Sequence, residues 1–212
     1  MTNLSITAKT NVDECIQIDY ITILTKDGKE IDLNWEYSHY TTFEPFNSPH
    51  SILKSMRKFE TFYENGIDYK VYAVAPTCEI KTNSGITLLA DDVIANLKGH
   101  EGEFDALVFS CGDAIPVFAQ HAGEPYNVTL FEVIKAFAEK GKIMIGHCAA
   151  AMMFDMAGVT KGKRLAVHPL AKAAIKLGEA TDAPSEIDGN FYTAQDENSV
   201  WTMMPEVVEA LK

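Results

Sequence analysis

Short apolar runs alternate with amphipathic stretches along most of this chain, and that rhythm admits few architectures. It is the mark of βαβ units wound into a mainly parallel sheet with helices on both faces, an α/β fold. Tyr20 to Thr25 reads as a strand with a turn or loop at Lys26 to Lys29. Ser51 to Glu64 carries a helical stripe closed by Asn65-Gly66, and Tyr69 to Ala75 is the next strand. Glu79 to Leu89 reads as a hairpin or irregular edge, Asp91 to Leu97 as a short helix, and Phe104 to Ser110 as a buried strand. Thr129 to Lys140 is an amphipathic helix stopped by Gly141, followed by a strand over Lys142 to Ile145. Asp188-Gly189 signals a hairpin, and Val200 to Leu211 supplies a last helix whose Pro205 marks its true start.

Length bounds the organisation. The 212 residues suit one domain able to bury its own core, expected over 20–212 behind an N-terminal arm, 1–19. A formal charge of -12 argues against nucleic acid and anionic membranes, since such binding rests on neutralising phosphates with Lys and Arg. No run approaches the ~20 apolar residues of a membrane span, and the N-terminus lacks a secretory apolar core, so a cytoplasmic location is expected. Cys15, Cys78, Cys111 and Cys148 match no zinc spacing, which favours thiol chemistry over a metal site.

The segment that carries chemistry is Lys142-Ile143-Met144-Ile145-Gly146-His147-Cys148-Ala149-Ala150-Ala151-Met152, an apolar strand passing through small residues into a helix-forming run. Cys148 stands at the junction. Open α/β sheets place ligands at the carboxyl ends of their strands, a helix start favours a thiolate, and the same turn exposes the nucleophile of hydrolases. The plainer alternative is a small buried thiol, the common fate of a free cysteine. Downstream, a short strand over Arg164 to Val167 runs into His168-Pro169, where a histidine at a strand end is placed to act as base or orienter. His147 comes second, because strand alternation points it elsewhere. A histidine satisfied by backbone contacts is the alternative for either.

In order as well as in motif, Gly146-His147-Cys148-Ala149-Ala150, then Ala157-Gly158-Val159-Thr160-Lys161-Gly162-Lys163-Arg164, then His168-Pro169, resembles the cysteine elbow and "AGLLxGKxxTxHP" segment of the ThiJ/PfpI superfamily. The resemblance implies a flavodoxin-like three-layer sandwich, shared with class I glutamine amidotransferase domains. It further implies an oxyanion hole from the amides of Gly112 and Ala149, although Ser110-Cys111-Gly112 departs from the family's Pro-Gly-Gly. Thr25 to Leu33 is similar to the "FPDxxxLDL" run of the isocyanide hydratase branch, which would make Asp32 the carboxylate beside the cysteine, with Glu36 and Glu44 as rivals. Thr82 to Leu88 resembles that branch's "SSGL" hairpin, while Asn34-Trp35-Glu36 replaces its "TGP".

The resemblance leads us to expect a cofactor-independent, metal-free enzyme of hydratase, glyoxalase or amidase type, with a small-molecule substrate and a homodimeric assembly. Cys148, His168 and Asp32 would be its catalytic residues. A redox sensor oxidised at Cys148, with Cys111 as resolving thiol, is the second reading, and a ligand-binding module without turnover the third.

Overall fold

A computed structural model describes residues 21–24, 30–33, 58–59, 61–81, 87–109 and 118–212. The chain divides into two units, Met1–Phe46 and Asn47–Lys212. In the first, β1 (Ile21–Leu24) pairs antiparallel with β2 (Glu30–Leu33), setting Ile21 opposite Leu33 and Leu24 opposite Glu30. β1 alternates apolar and polar residues only in part and β2 does so throughout, yet the sequence does not announce β2 as a strand. Its Glu-Ile-Asp-Leu is too short to show a period without its partner.

The second unit is built on a four-stranded sheet in the order β11 (Ser185–Asp188), β12 (Phe191–Ala194), β8 (Ile143–His147), β7 (Ala106–Phe109). The last three are parallel, and β11 joins antiparallel at the edge. The hairpin between β11 and β12 has only Gly189 and Asn190 in its loop, and Gly189 takes φ +62°. That left-handed conformation is open to glycine at no steric cost and lets two-residue loops follow the sheet twist.

Two apolar layers cover the sheet. On one face α2 (Pro125–Glu139) and α3 (Ala150–Met156) bury Leu130, Val133, Ile134, Phe137, Met153 and Phe154 against Met144 and Phe191. On the other, Phe62 from a helical stretch (58–59 and 61–64) and Met204 and Val207 from α4 (Met204–Leu211) pack on Ile145 and Ala194. This is a three-layer α/β sandwich. Smaller pairs flank it: β3 (Tyr72–Ala73) with β6 (Asp92–Val93), β4 (Glu79–Lys81) with β5 (Thr87–Leu89), and β9 (Arg164–Ala166) with β10 (Glu179–Thr181). β9 is tied to the main hairpin by the Ala166 N–H donating to Thr193 Oγ1 at 2.9 Å.

Several boundaries differ from expectation for identifiable reasons. α2 begins at Pro125, four residues before Thr129, because proline at N1 lacks an N–H that would be unsatisfied there anyway. The helix expected from Asp91 yields Asp92 and Val93 to pairing with β3, leaving α1 only Ile94–Leu97. The strand over Tyr69 to Ala75 shortens to two residues for lack of a longer partner. Residues 34–49, the start of the helix expected from Ser51, residues 82–86 of the expected hairpin, and residues 110–117 lie outside the described residues.

Candidate active site at the cysteine elbow

β8 alternates faces, and that alternation builds the elbow. Met144 enters the core beneath α2 and α3, Ile145 the opposite core. Gly146 points back toward α3, where a Cβ would lie 2.4 Å from that of Ala150 and 3.1 Å from the Phe154 ring. No side chain fits there, so glycine is required for α3 to turn back so closely on its own strand. Gly146→Ala is expected to cost about 1–3 kcal/mol by overpacking, read as a fall in urea midpoint without change in m-value.

Cys148 follows at φ +58°, the one non-glycine residue among those described with a positive φ. Such a conformation in a side-chain-bearing residue costs on the order of 1–3 kcal/mol and persists only where the surroundings impose it. Here the backbone does so on both sides: the Cys148 N–H donates to the Ala194 carbonyl at 3.0 Å, and the Cys148 carbonyl accepts from the His168 N–H at 3.2 Å. The ends of β8, β9 and β12 thus converge on one residue. Its side chain is half-buried, and Ala149 is the N-cap of α3.

His168 lies at the end of β9, half-buried, and caps the 3-10 helix Pro169–Ala174 with its own side chain: Nδ1 accepts from the Leu170 N–H at 3.3 Å. A neutral imidazole accepting at Nδ1 carries its proton on Nε2 and donates there. His147 goes to the other face. Its ring is buried, with Nδ1 2.8 Å from Lys58 Nζ and Nε2 3.9 Å from Glu197 Oε1. Burial first, and then the Lys58 charge, push its pKa down from 6.5 to about 3, against an opposing pull from Asp196, so the ring is neutral at physiological pH.

The acidic pair Asp196-Glu197, after β12, does not stand out in the sequence. Asp196 Oδ1 accepts from the N–H groups of Asn198 (2.9 Å) and Ser199 (2.7 Å). Burial raises its pKa, but the Ser199 and Asn198 hydrogen bonds and the nearby His168 outweigh this and hold it below the usual carboxylate range. A strand-ending acidic pair next to Asn and Ser is the available signal, since Asp commonly caps the turn it precedes. A second carboxylate, Asp155 on α3, is 4% exposed and braces the segment following His168. Its Oδ1 accepts from Thr160 Oγ1 (2.5 Å), Leu177 N–H (3.0 Å) and Gly178 N–H (2.9 Å), and Oδ2 from Lys176 N–H (2.8 Å).

Of the residues singled out from sequence, Cys148, Ala149, His147 and His168 therefore meet at the carboxyl edge of the sheet. Asp32 lies in β2 of the first unit, opposite Thr22. Gly112, Cys111, Glu36 and Glu44 lie outside the described residues. Among the described residues no group of three His, Cys, Asp or Glu could hold a metal ion, and no helix is long and apolar enough to cross a membrane. A polar surface depression of about 570 Å³, lined by Lys70, Tyr72, Asp92, Lys98 and His100 among others, shares no residue with the elbow.

A model of the DJ-1/PfpI family matches residues 49–210, the span that holds the strained cysteine between β8 and α3 and the His-Pro pair after β9. This chain belongs to the DJ-1/PfpI family. It is 74% identical over 153 residues to Protein ppBat of Bacteroides thetaiotaomicron, spanning 72% of this chain and 87% of that protein. A crystal structure from the same organism, described as "putative protease I", is 71% identical with a TM-score of 0.73, over 75% of this chain and 91% of that one. A DJ-1 superfamily protein of Salmonella typhimurium, 21% identical, shares the fold with a TM-score of 0.64 over 74% and 82% of the two chains.

Proposed function

We propose that this DJ-1/PfpI chain is a cysteine-dependent enzyme acting on a small electrophilic substrate through the thiolate of Cys148. The observation that carries this is the positive φ of Cys148, a strain retained in a side-chain-bearing residue at the carboxyl edge of a parallel sheet. The sulfur attacks an aldehyde, isocyanide or amide carbon. For an amide, the new S–C bond forms as the carbonyl electron pair moves onto oxygen, which the amides of Ala149 and Gly112 hold. Such a donor is worth roughly 2.7–4 kcal/mol in other enzymes. The tetrahedral adduct then expels the amine, which takes up a proton, and water hydrolyses the thioester. An amide substrate is in keeping with the protease description of the 71%-identical relative. His168, its Nδ1 engaged by Leu170, works as a donor through Nε2. The assembly proposed is a homodimer without cofactor.

The test is pH-dependent alkylation read by mass spectrometry, with Cys148→Ser and Cys111→Ser as controls. A Cys148 midpoint clearly below ~8.5 supports the reading and directs a screen of amides, aldehydes and isocyanides. A Cys148 thiol that titrates at or above that value, or resists alkylation in the folded protein, overturns it.

A further inference from the structure

An acid in the last turn of a helix works against the helix dipole, which favours cations at that end. α3 nevertheless places Asp155 there, buried, where it meets three consecutive backbone N–H groups, those of Lys176 (2.8 Å), Leu177 (3.0 Å) and Gly178 (2.9 Å). Successive N–H groups turned one way form a concave anion site, and the carboxylate occupies it. Gly178 lets the chain come so close. A Cβ there would lie 2.9 Å from Leu165 Cδ1 and 3.0 Å from the Lys163 carbonyl oxygen.

The chain that Asp155 holds sets out from the elbow. From His168, whose N–H donates to the Cys148 carbonyl at 3.2 Å, it runs through the 3-10 helix Pro169–Ala174 to Lys176. It is tied internally by the Ala171 N–H donating to the His168 carbonyl (2.8 Å) and the Ile175 N–H to that of Lys172 (3.1 Å). Ala171 and Ile175 pack on the same core as α3. This strap is therefore pinned twice to one helix, at Cys148 just before the first turn of α3 and at Asp155 in its last. From Ala150 to Asp155 the helix rises only ~7.5 Å, a stiff span, so a strap fixed at both ends of it cannot slide.

We infer that Asp155 is a positioning residue for the elbow: by fixing 176–178 to the far end of α3 it keeps the His168 N–H on the Cys148 carbonyl, and so maintains the left-handed backbone that carries the thiol. That hydrogen bond is one of the two that hold Cys148 at φ +58°. The other, from the Cys148 N–H to the Ala194 carbonyl, is made with β12 and does not pass through the strap. A strained φ relaxes once the contacts that impose it are loosened. The bearing of Asp155 on catalysis rests on Cys148 being the working thiol, as proposed above.

The experiment compares backbone amide exchange, followed by NMR on the full-length chain, in wild type, Asp155→Asn and Val207→Ala. Asn keeps the shape of the side chain and one acceptor oxygen. Val207 is buried on the opposite face of the sheet, so its truncation weakens the fold without touching the strap. General loss of stability accelerates His168 and Val133, a buried residue inside α2, by the same factor. In Asp155→Asn the His168 amide is expected to accelerate about tenfold or more beyond Val133, while in Val207→Ala the two keep their wild-type ratio. An unchanged ratio in Asp155→Asn, or the same change of ratio in both variants, overturns the inference. A second measurement needs no variant: in the wild type the amides of Lys176, Leu177 and Gly178 should be protected to the same degree as that of His168. A His168 amide that stays protected where those three exchange freely overturns the inference. Amide exchange at His168 reads the backbone whatever the ionisation of the thiol, whereas the alkylation midpoint reads the proposed function, so either can fail alone.

Discussion

Asp155→Ala is expected to lower the unfolding free energy by about 3–4 kcal/mol, a fall in Tm on the order of 10 °C for a domain of this size. The carboxylate is buried on α3 and accepts four hydrogen bonds, three of them from the consecutive backbone N–H groups of Lys176, Leu177 and Gly178. Truncation leaves those donors and the Thr160 hydroxyl facing a void, and each unsatisfied donor costs about 1–3 kcal/mol, reduced where water reaches it. Asp155→Asn retains an oxygen for the Oδ1 partners and gives up the acceptor for Lys176, so it should lose about half as much. Equal losses in the two variants would show that cavity formation, not the donor set, is what matters. Burial raises this carboxyl's pKa, but the Thr160 hydroxyl and the Gly178, Lys176 and Leu177 amides outweigh it and hold the group below its ordinary value. A folded pKa below the unfolded one gives stability that is present above the unfolded value and lost as pH falls through the folded one.

Acid weakens the fold earlier than any carboxylate requires, through His147. The ring is neutral in the folded state because its pKa lies near 3, while in the unfolded chain it titrates near 6.5. Between those values the unfolded state binds one more proton at this site, so stability rises with pH across the window and falls as the solution is acidified. The limiting slope is about 1.4 kcal/mol per pH unit, and because the unfolded ring is only half protonated at pH 6.5 it integrates to about 2.3 kcal/mol from pH 6.5 to 4.5. His147→Gln keeps an acceptor for Lys58 and cannot titrate. Urea unfolding at pH 7, 5.5 and 4.5 should show a steep loss in the wild type and a shallower one in the variant. Parallel slopes would mean that the ring is protonated in the folded protein.

Both effects stem from contacts that no local rule describes. Lys58 and His147 are 89 residues apart, and Asp155 reaches across more than 20 residues to its amides. In the sequence, Lys58 is one charged residue on a helical stripe and Asp155 one acid on a short helix, each indistinguishable from a solvated residue. The carboxylate near His168 is equally hidden, because Asp196 acquires its place only when β12 is laid beside β8 and its end meets the end of β9.

What the sequence by itself determined were features governed by near neighbours. The passage from β8 through Gly146 and Cys148 into α3, the Asp188-Gly189 hairpin, the stop at Gly141 and the start of α4 beside Pro205 each rest on backbone preferences within a few residues. Local sterics act on them whatever the rest of the chain does. The order of motifs also carried the family. The tertiary structure alone decided which face of the sheet each histidine occupies, which charges are removed from water, and which carboxylates stand near them. Those depend on burial and pairing between distant segments, and a linear pattern holds no term for either.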